Sequence, residues 1–434
     1  MHYDLAFWWS LASLLLIVLY AVLVFKNVSP LVATAVCVLL GFFFNQSTPL
    51  EMGATMEKAL SSFLALVGFI IMLGRGLGEV LNETKVSHNM VHKIVYSIGI
   101  NTLPRVKTGI VLSSLVIVGV LGTLAGGLAI LAPILRPIAA SVGLPRPSLA
   151  VLMQASGEEA LILGPFAPPV IALLGVTGLS YPTMLLYAAL PISIVTLIVS
   201  WTMATRFQKQ YAADLLTDET EQQTQFIPDR RQNINTWFFI LGFIACVVYG
   251  LVMHATTSYV IFVMLFLAIG TGLVGGLKLS KTFDLILLGM QKNLHLFFIF
   301  LLLDPFLNLV QSAGGFHALM QLFIPLEQYG GKPMIAILTG LTGAFGMPAA
   351  AAAVIKMLYE MFSPMATAAQ LSLITFAFSM LLATRITNFA YPGANMFAAM
   401  GFAGSSNLKA MIKNGLVVTV VQVIFLIVYS LLFA

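Results

Sequence analysis

The sequence predicts an all-α polytopic membrane protein of two inverted repeats, each with five transmembrane helices, a re-entrant hairpin and a broken helix. Three observations carry that expectation. Hydrophobic residues fill 59% of the 434 positions and charged residues only 9%, against about 25% charge in soluble domains, so many stretches of bilayer-spanning length hold almost no charge. Lysine and arginine outside those stretches gather on one face, and the two halves show the same order of elements. This composition excludes a soluble enzyme and a disulfide scaffold. The net charge of +5 is spread too thinly to make a nucleic-acid-binding patch, so no nucleic-acid partner is expected.

The first apolar run, about residues 5–25, follows MHYD, which has no Lys or Arg, and lacks a small-residue cleavage site before Lys26. It is expected to be a retained helix and not a signal peptide. Further spans are expected at about 29–45, 59–83, 148–177, 181–205, 236–254, 257–277, 293–313, 368–401 and 408–433. Cys37 and Cys246 fall inside apolar runs and read as small buried hydrophobes.

Two more apolar stretches, about 108–142 and 333–362, are interrupted near their middle by GVLGTLAGGLAILAP and GLTGAFGMPAAAAAV. Glycine and proline there favour a chain that enters the membrane, turns and leaves on the same side. Charge selects this over plain spans. With both stretches re-entrant, fifteen Lys and Arg residues, from Lys26 to Lys413, lie on one face against Lys58, Lys332 and Lys356 on the other. That bias marks the first face as cytoplasmic and puts both termini in the periplasm. Residues 207–235, polar and of mixed charge, read as a cytoplasmic linker between a first repeat, 1–206, and a second, 236–434.

At an offset of 229, Arg75 falls opposite Asp304 and His88 opposite His317; at 227, Pro165 falls opposite Pro392 and Glu158 opposite Arg385. Five crossings per half make the second enter from the opposite side, the build of many secondary transporters. Each half holds a span that cannot be continuous: ASGEEALILGPFAPPVIALLG, with Pro165, Pro168 and Pro169, and LLATRITNFAYPGANMFAAMG, with Pro392 and Gly393. Proline frees backbone groups at membrane depth, where half-helix ends attract ions and substrates.

Charges at that depth are functional candidates because burying them in a membrane is expensive. Glu158 and Glu159 are expected to carry coupling, since adjacent carboxylates in low dielectric favour protonation of one. Arg385 reads either as an anchor for an anionic substrate, through its carboxylate-matching fork, or as the partner of Glu158. Thr384, Asn388 and Asn395, together with Thr387, offer hydrogen bonds to a hydroxylated ligand or to helix packing. Asp304 reads as the partner of Arg75 or as a proton relay. Lys356 and Glu360 have the spacing of a helix ion pair. The hairpin tips are expected at Gly122, Gly126, Gly127, Gly343 and Gly346, with Thr123 and Ser156 among the polar groups of the site. The 21 methionines read as apolar filler; no metal site is expected, and no cofactor beyond a coupling ion, H⁺ or Na⁺.

The stretches LALVGFIIMLGRGLGEVLNET, VLSSLVIVGVLGTLAGGLAILAPILRPIA, SGEEALILGPFAPPVIALLG and TRITNFAYPGANMFAAMGFAGSS resemble the gluconate:proton symporter family of the ion transporter superfamily. That resemblance implies two hairpin tips and two broken helices converging on one site, in a homodimer working by an elevator-like movement. The chain departs from the family at both breaks, with Glu158 and Glu159 at the first and Arg385 and Asn388 at the second. The expected function is a secondary active transporter of the inner membrane, carrying a sugar acid or other small carboxylate with protons. Its partners are an anionic small molecule and the lipid bilayer. The alternatives are a Na⁺/H⁺ antiporter of the same superfamily and, more remotely, a channel or an intramembrane enzyme. The enzyme has no HExxH or Gly-x-Ser-x-Gly element behind it.

Overall fold

The computed structural model describes residues 4–26, 28–99, 101–216, 227–343 and 351–434. In the first half the chain forms α1 (Leu5–Ala12), α2 (Leu15–Phe25), α3 (Pro30–Phe44), α4 (Pro49–Leu60), α5 (Phe63–Glu83), α6 (Val86–Ile98), α7 (Leu103–Leu121), α8 (Leu124–Ser141), α9 (Arg146–Leu163) and α10 (Pro168–Thr177). It then passes through α11 (Tyr181–Met184) and a π-helical turn, Leu185–Ala189, into α12 (Leu190–Gln210). The second half forms α13 (Arg230–Val252), α14 (Tyr259–Val274), α15 (Leu279–Lys292), α16 (Leu294–Ser312), α17 (Gly315–Gly343), α18 (Ala351–Ala368), α19 (Leu373–Ala390), α20 (Ala394–Phe402) and α21 (Leu408–Phe433). Among the described residues there is no strand. Ten helical stretches are long and apolar enough to cross a membrane, as a polytopic protein requires.

The order repeats, with α3, α4 and α5 answered by α14, α15 and α16, and α8, α9 and α10 by α18, α19 and α20. The halves also exchange partners reciprocally: α3 packs on α16 and α14 on α5, while α10 packs on α18 and α20 on α8. Each half thus closes the core of the other.

Local sequence sets the boundaries. Proline stands at the start of α3, α4, α9 and α10, where its missing donor costs nothing and its fixed φ suits a first turn. Thr48 and Glu51 form a reciprocal capping box at the start of α4; the Thr48 backbone and hydroxyl hold the Glu51 carboxyl below its usual range. The first hairpin turns in two residues: Gly122 takes a left-handed φ of 64°, and a Cβ at Gly127 would sit 2.5 Å from Val118 Cγ2. The arms can close only with glycine there.

Several expectations change. The runs at 29–45 and 257–277 become α3 and α14, of 15 and 16 residues, or about 22–24 Å at the rise of an α-helix. The hairpin arms α7 and α8, by contrast, are each long and apolar enough to cross. Amphipathic α4 and α15 stand where the sequence reads as loop. His88 and His317 lie past the ends of α5 and α16, within the helices that follow, α6 and α17. Helix also enters both ends of the expected 207–235 linker, and the Arg146 N–H donates to the Asp214 carbonyl at 2.9 Å, tying the chain after α12 to the start of α9. Residues 217–226 of that linker and 344–350 of the second hairpin tip lie outside the described residues.

α5 crosses α15 at two glycines. A Cβ on Gly289 would stand 2.5 Å from both the Arg75 carbonyl oxygen and the Gly76 Cα, and one on Gly76 would stand 2.8 Å from the Ile286 carbonyl. Gly289→Val therefore forces the helices apart. It is expected to lower stability by about 1–3 kcal/mol, read as a lower thermal-unfolding midpoint of the purified protein in detergent.

Candidate functional site

Both broken helices stop where proline dictates. α9 ends at Leu163, and Pro168 opens α10; α19 ends at Ala390, Tyr391 is extended (φ −118°, ψ 143°), and α20 begins at Ala394. Glu158 and Arg385 sit in equivalent places, about a turn and a half before their breaks, and they meet. Arg385 Nη1 donates to Glu158 Oε2 at 2.7 Å and to the Glu158 carbonyl at 2.6 Å. Asn388 Nδ2 donates to Oε2 and Asn395 Nδ2 to Oε1, both at 2.8 Å. Three side chains thus aim N–H donors at one carboxylate, while Arg385 Nε donates to Thr384 Oγ1 at 3.1 Å and buried Arg385 Nη2 has no hydrogen-bond partner. Glu158 and Arg385 are both fully buried, so each offsets a charge that would otherwise stand alone in low dielectric.

Glu159, one residue on, faces the other way. It is fully buried and accepts one hydrogen bond, from Ser193 Oγ of α12 at 2.9 Å, while its Oε1 has no hydrogen-bond partner. The two glutamates therefore differ chemically: one is saturated by donors and the other is not. Thr384 and Ser156 donate back to helix carbonyls, of Leu381 and Leu152, and Thr387 donates to the Gly343 and Ala383 carbonyls, tying the second hairpin to α19.

A cavity of about 400 Å³ opens beside the pair. Its wall includes the starts of α8 (Leu124, Ala125, Gly126), α10 (Pro168, Pro169), α16 (Asn293, His295, Leu296) and α20 (Ala394, Asn395), and Ala351 and Ala352, the first described residues of α18. The positive end of the helix dipole lies at each start, with first-turn amides left over at each except α10, where Pro168 and Pro169 have no N–H to offer. Arg75 and Lys292 are its charged lining residues, and Asn388 completes the polar wall. Thr123 at the hairpin tip also lines it, and its Oγ1 is buried with no hydrogen-bond partner. A Cβ at Gly126 would collide with Thr123 Oγ1 and lie 2.5 Å from Arg75 Nη1, so glycine is what lets the guanidinium reach the tip.

Of the residues expected at the site, Thr123, Gly126, Asn388 and Asn395 line this cavity. Arg385, Thr384, Glu158, Glu159 and Ser156 lie behind its wall, Gly127 packs on Val118 and Gly343 on Ala383, and Gly346 is outside the described residues. Asp304 does not meet Arg75: it accepts from Asn308 Nδ2 at 3.0 Å, whereas Arg75 pairs with Glu79 at 3.2 Å, because a partner four residues along the same helix is closer than any on α16. Lys356 and Glu360 form their helix pair. Sequence reading missed Arg75 and Lys292 as cavity cations. The available signal was GRGLGE, a charged pair inside an otherwise apolar helix. Among the described residues no His, Cys, Asp and Glu group gathers as a metal site.

The buried pair makes a direct stability prediction. Arg385→Met leaves the buried Glu158 carboxyl without its cation and is expected to destabilise by about 3–5 kcal/mol, whereas Arg385→Met with Glu158→Met together is expected to destabilise less than the single change. Denaturant unfolding in detergent of both variants measures the difference.

Residues 12–434 match the family described as "Tripartite ATP-independent periplasmic transporter, DctM component". The crystal structure of the YdaH transporter of Alcanivorax borkumensis is similar over 87% of this chain and 88% of that chain, with a TM-score of 0.56 and 15% identity, a likeness of fold alone. No curated protein matches the chain in sequence. The family match overturns the resemblance to the gluconate:proton symporters. The stretches that carried it spell hairpins and broken helices, which different transporter families can share, and the chain departs from that family at both breaks. The chain belongs to the DctM family of tripartite ATP-independent periplasmic transporters: it is a multi-pass transport protein driven by something other than ATP, and not an enzyme.

Proposed function

We propose that the protein moves a small organic acid, as its anion, across the inner membrane, with the cavity between the first hairpin tip and the two helix breaks as the binding site. The observation that carries this reading is the convergence of helix starts on a space that also holds Arg75. Partial positive charge, free amides and a guanidinium in one partly buried cavity suit a carboxylate and repel a cation. Arg385, engaged with Glu158, holds the wall in place; Asn388 and Asn395 reach from that wall to ligand hydroxyls. The partners are the two other components that the word tripartite implies, in place of the second copy expected from sequence. The lysine and arginine bias supports periplasmic termini, and the reciprocal packing of hairpins and breaks supports an elevator-like movement of those elements as one body.

Coupling is to protons, at Glu159. Its open Oε1 leaves room for a proton, whereas both oxygens of Glu158 already face N–H donors from Arg385, Asn388 and Asn395.

Two outcomes test these assignments. Saturating carboxylate is expected to stabilise the purified protein by about 2.7 kcal/mol at a hundredfold excess over Kd, read as a rise in its unfolding midpoint. Arg75→Met and Gly126→Ala are expected to abolish that rise while leaving the ligand-free midpoint close to wild type. A full rise in Arg75→Met would remove the cavity from consideration. In weakly buffered solution, anion binding is expected to take up a proton in the wild type and none in Glu159→Gln, as followed with a pH indicator. Binding that responds to Na⁺ and takes up no proton would assign coupling to sodium instead.

A further inference from the structure

Resting on the anion-site reading above, we infer that Glu79 sets the charge of the substrate, tuning the cavity to a monocarboxylate. One oxygen, Glu79 Oε1, receives both cavity cations: Arg75 Nη2 at 3.2 Å along α5 and Lys292 Nζ at 2.7 Å from the end of α15. The two cations line the cavity and Glu79 does not, so the carboxylate backs them from behind. It is 14% exposed, partly shielded from water.

The other charges near the wall add nothing to this count once the anion is bound, when Glu159 carries the coupled proton. Glu158, which holds Asn388 and Asn395, is balanced by Arg385, and the lining holds no Asp, Glu, Lys or Arg besides Arg75 and Lys292. Two cations and one carboxylate leave a single positive charge facing the ligand. A monoanion neutralises it. A dianion of the same size leaves one negative charge uncompensated in a partly desolvated space, where electrostatic complementarity discriminates most strongly. Helix starts add partial charge, but that contribution is the same in every variant with this backbone, so removing the Glu79 charge must move the preference toward dianions.

Lys292 gives the arrangement a second lever. It is the only cavity cation from the second half among the described lining residues, and the close glycine crossing of α5 and α15 brings it within reach of Glu79. Removing its charge lowers the net charge of the cavity by one without disturbing the Arg75 pair.

The test is calorimetric binding to the purified full chain at low salt, using monocarboxylate and dicarboxylate pairs of equal carbon number: gluconate and glucarate, lactate and malonate, butyrate and succinate. The wild type is expected to favour the monocarboxylate of at least one pair by about tenfold. Glu79→Gln is expected to shift that ratio at least about tenfold toward the dicarboxylate, Glu79→Asp to leave it near wild type, and Lys292→Gln to weaken the dicarboxylate more than the monocarboxylate. Because Lys292→Gln keeps the Arg75–Glu79 pair, it carries the test if Glu79→Gln does not fold. A wild-type preference for dicarboxylates, or a ratio unmoved in Glu79→Gln or Lys292→Gln, overturns this inference alone. Binding of no anion from either class overturns the anion site itself and this inference with it.

Discussion

Burying an arginine and a glutamate with no water in reach is possible only if each meets the other, and that constraint organises the centre of this protein. Glu158 and Arg385 come from opposite halves, and each stands before the break in its own helix. Their contact joins α9 to α19, and the Asn388 and Asn395 bonds to the same carboxylate join α19 and α20 across the second break. Replacing any of these donors leaves a charge or amide unsatisfied in low dielectric. The pair therefore fixes where the two breaks lie relative to one another, and so where the starts of α10 and α20 point. A cavity with several helix starts on its wall follows from that placement.

Glycine supplies the second constraint, at a few places where backbones must touch. At Gly76 and Gly289 the crossing of α5 and α15 is too close for any Cβ. That approach carries Lys292, at the last turn of α15, into the space beside Arg75. At Gly126 the same lack of a side chain lets Arg75 reach the hairpin tip. The cations of the cavity are thus positioned by residues with no chemistry of their own, which explains why an arginine in a span and a lysine at a helix end, far apart in sequence, meet one glutamate.

How much of this was legible in the sequence follows from what kind of signal each part leaves. Spans and breaks were readable because apolar length and proline are local. The Glu158–Arg385 pair was readable as one of two alternatives, because the offset of 227 set the residues opposite each other. The same logic failed for Arg75 and Asp304. Symmetry places residues in equivalent positions but does not say which way their side chains face, and Arg75 found Glu79 on its own helix. α4 and α15 were missed because a short amphipathic helix beside a span has the composition of a loop. Lys292 was missed with them, since its part in the site depends on a helix crossing that no sequence spacing reveals. The family was misread for a related reason: architecture dominates the sequence of such a protein, and the residues that separate families are the few at the breaks.

Sorting the deep charges by what surrounds them separates two tasks. Glu158 and Arg385 cancel each other away from the cavity, with the carboxylate held by three side chains, so a ligand's charge has little influence on them. Arg75, Glu79 and Lys292 form an open cluster in which two cations share one carboxylate oxygen, and a bound anion would compete with that oxygen for the same donors. A transporter has to release what it binds. An anion held only by free cations would be held too tightly to leave, whereas one that shares its cations with Glu79 can be replaced by that carboxylate as it departs. On that argument the unequal pairing of charge, balanced at the helix breaks and incomplete at the cavity, lets one part of the protein stay rigid while the adjoining part exchanges its ligand.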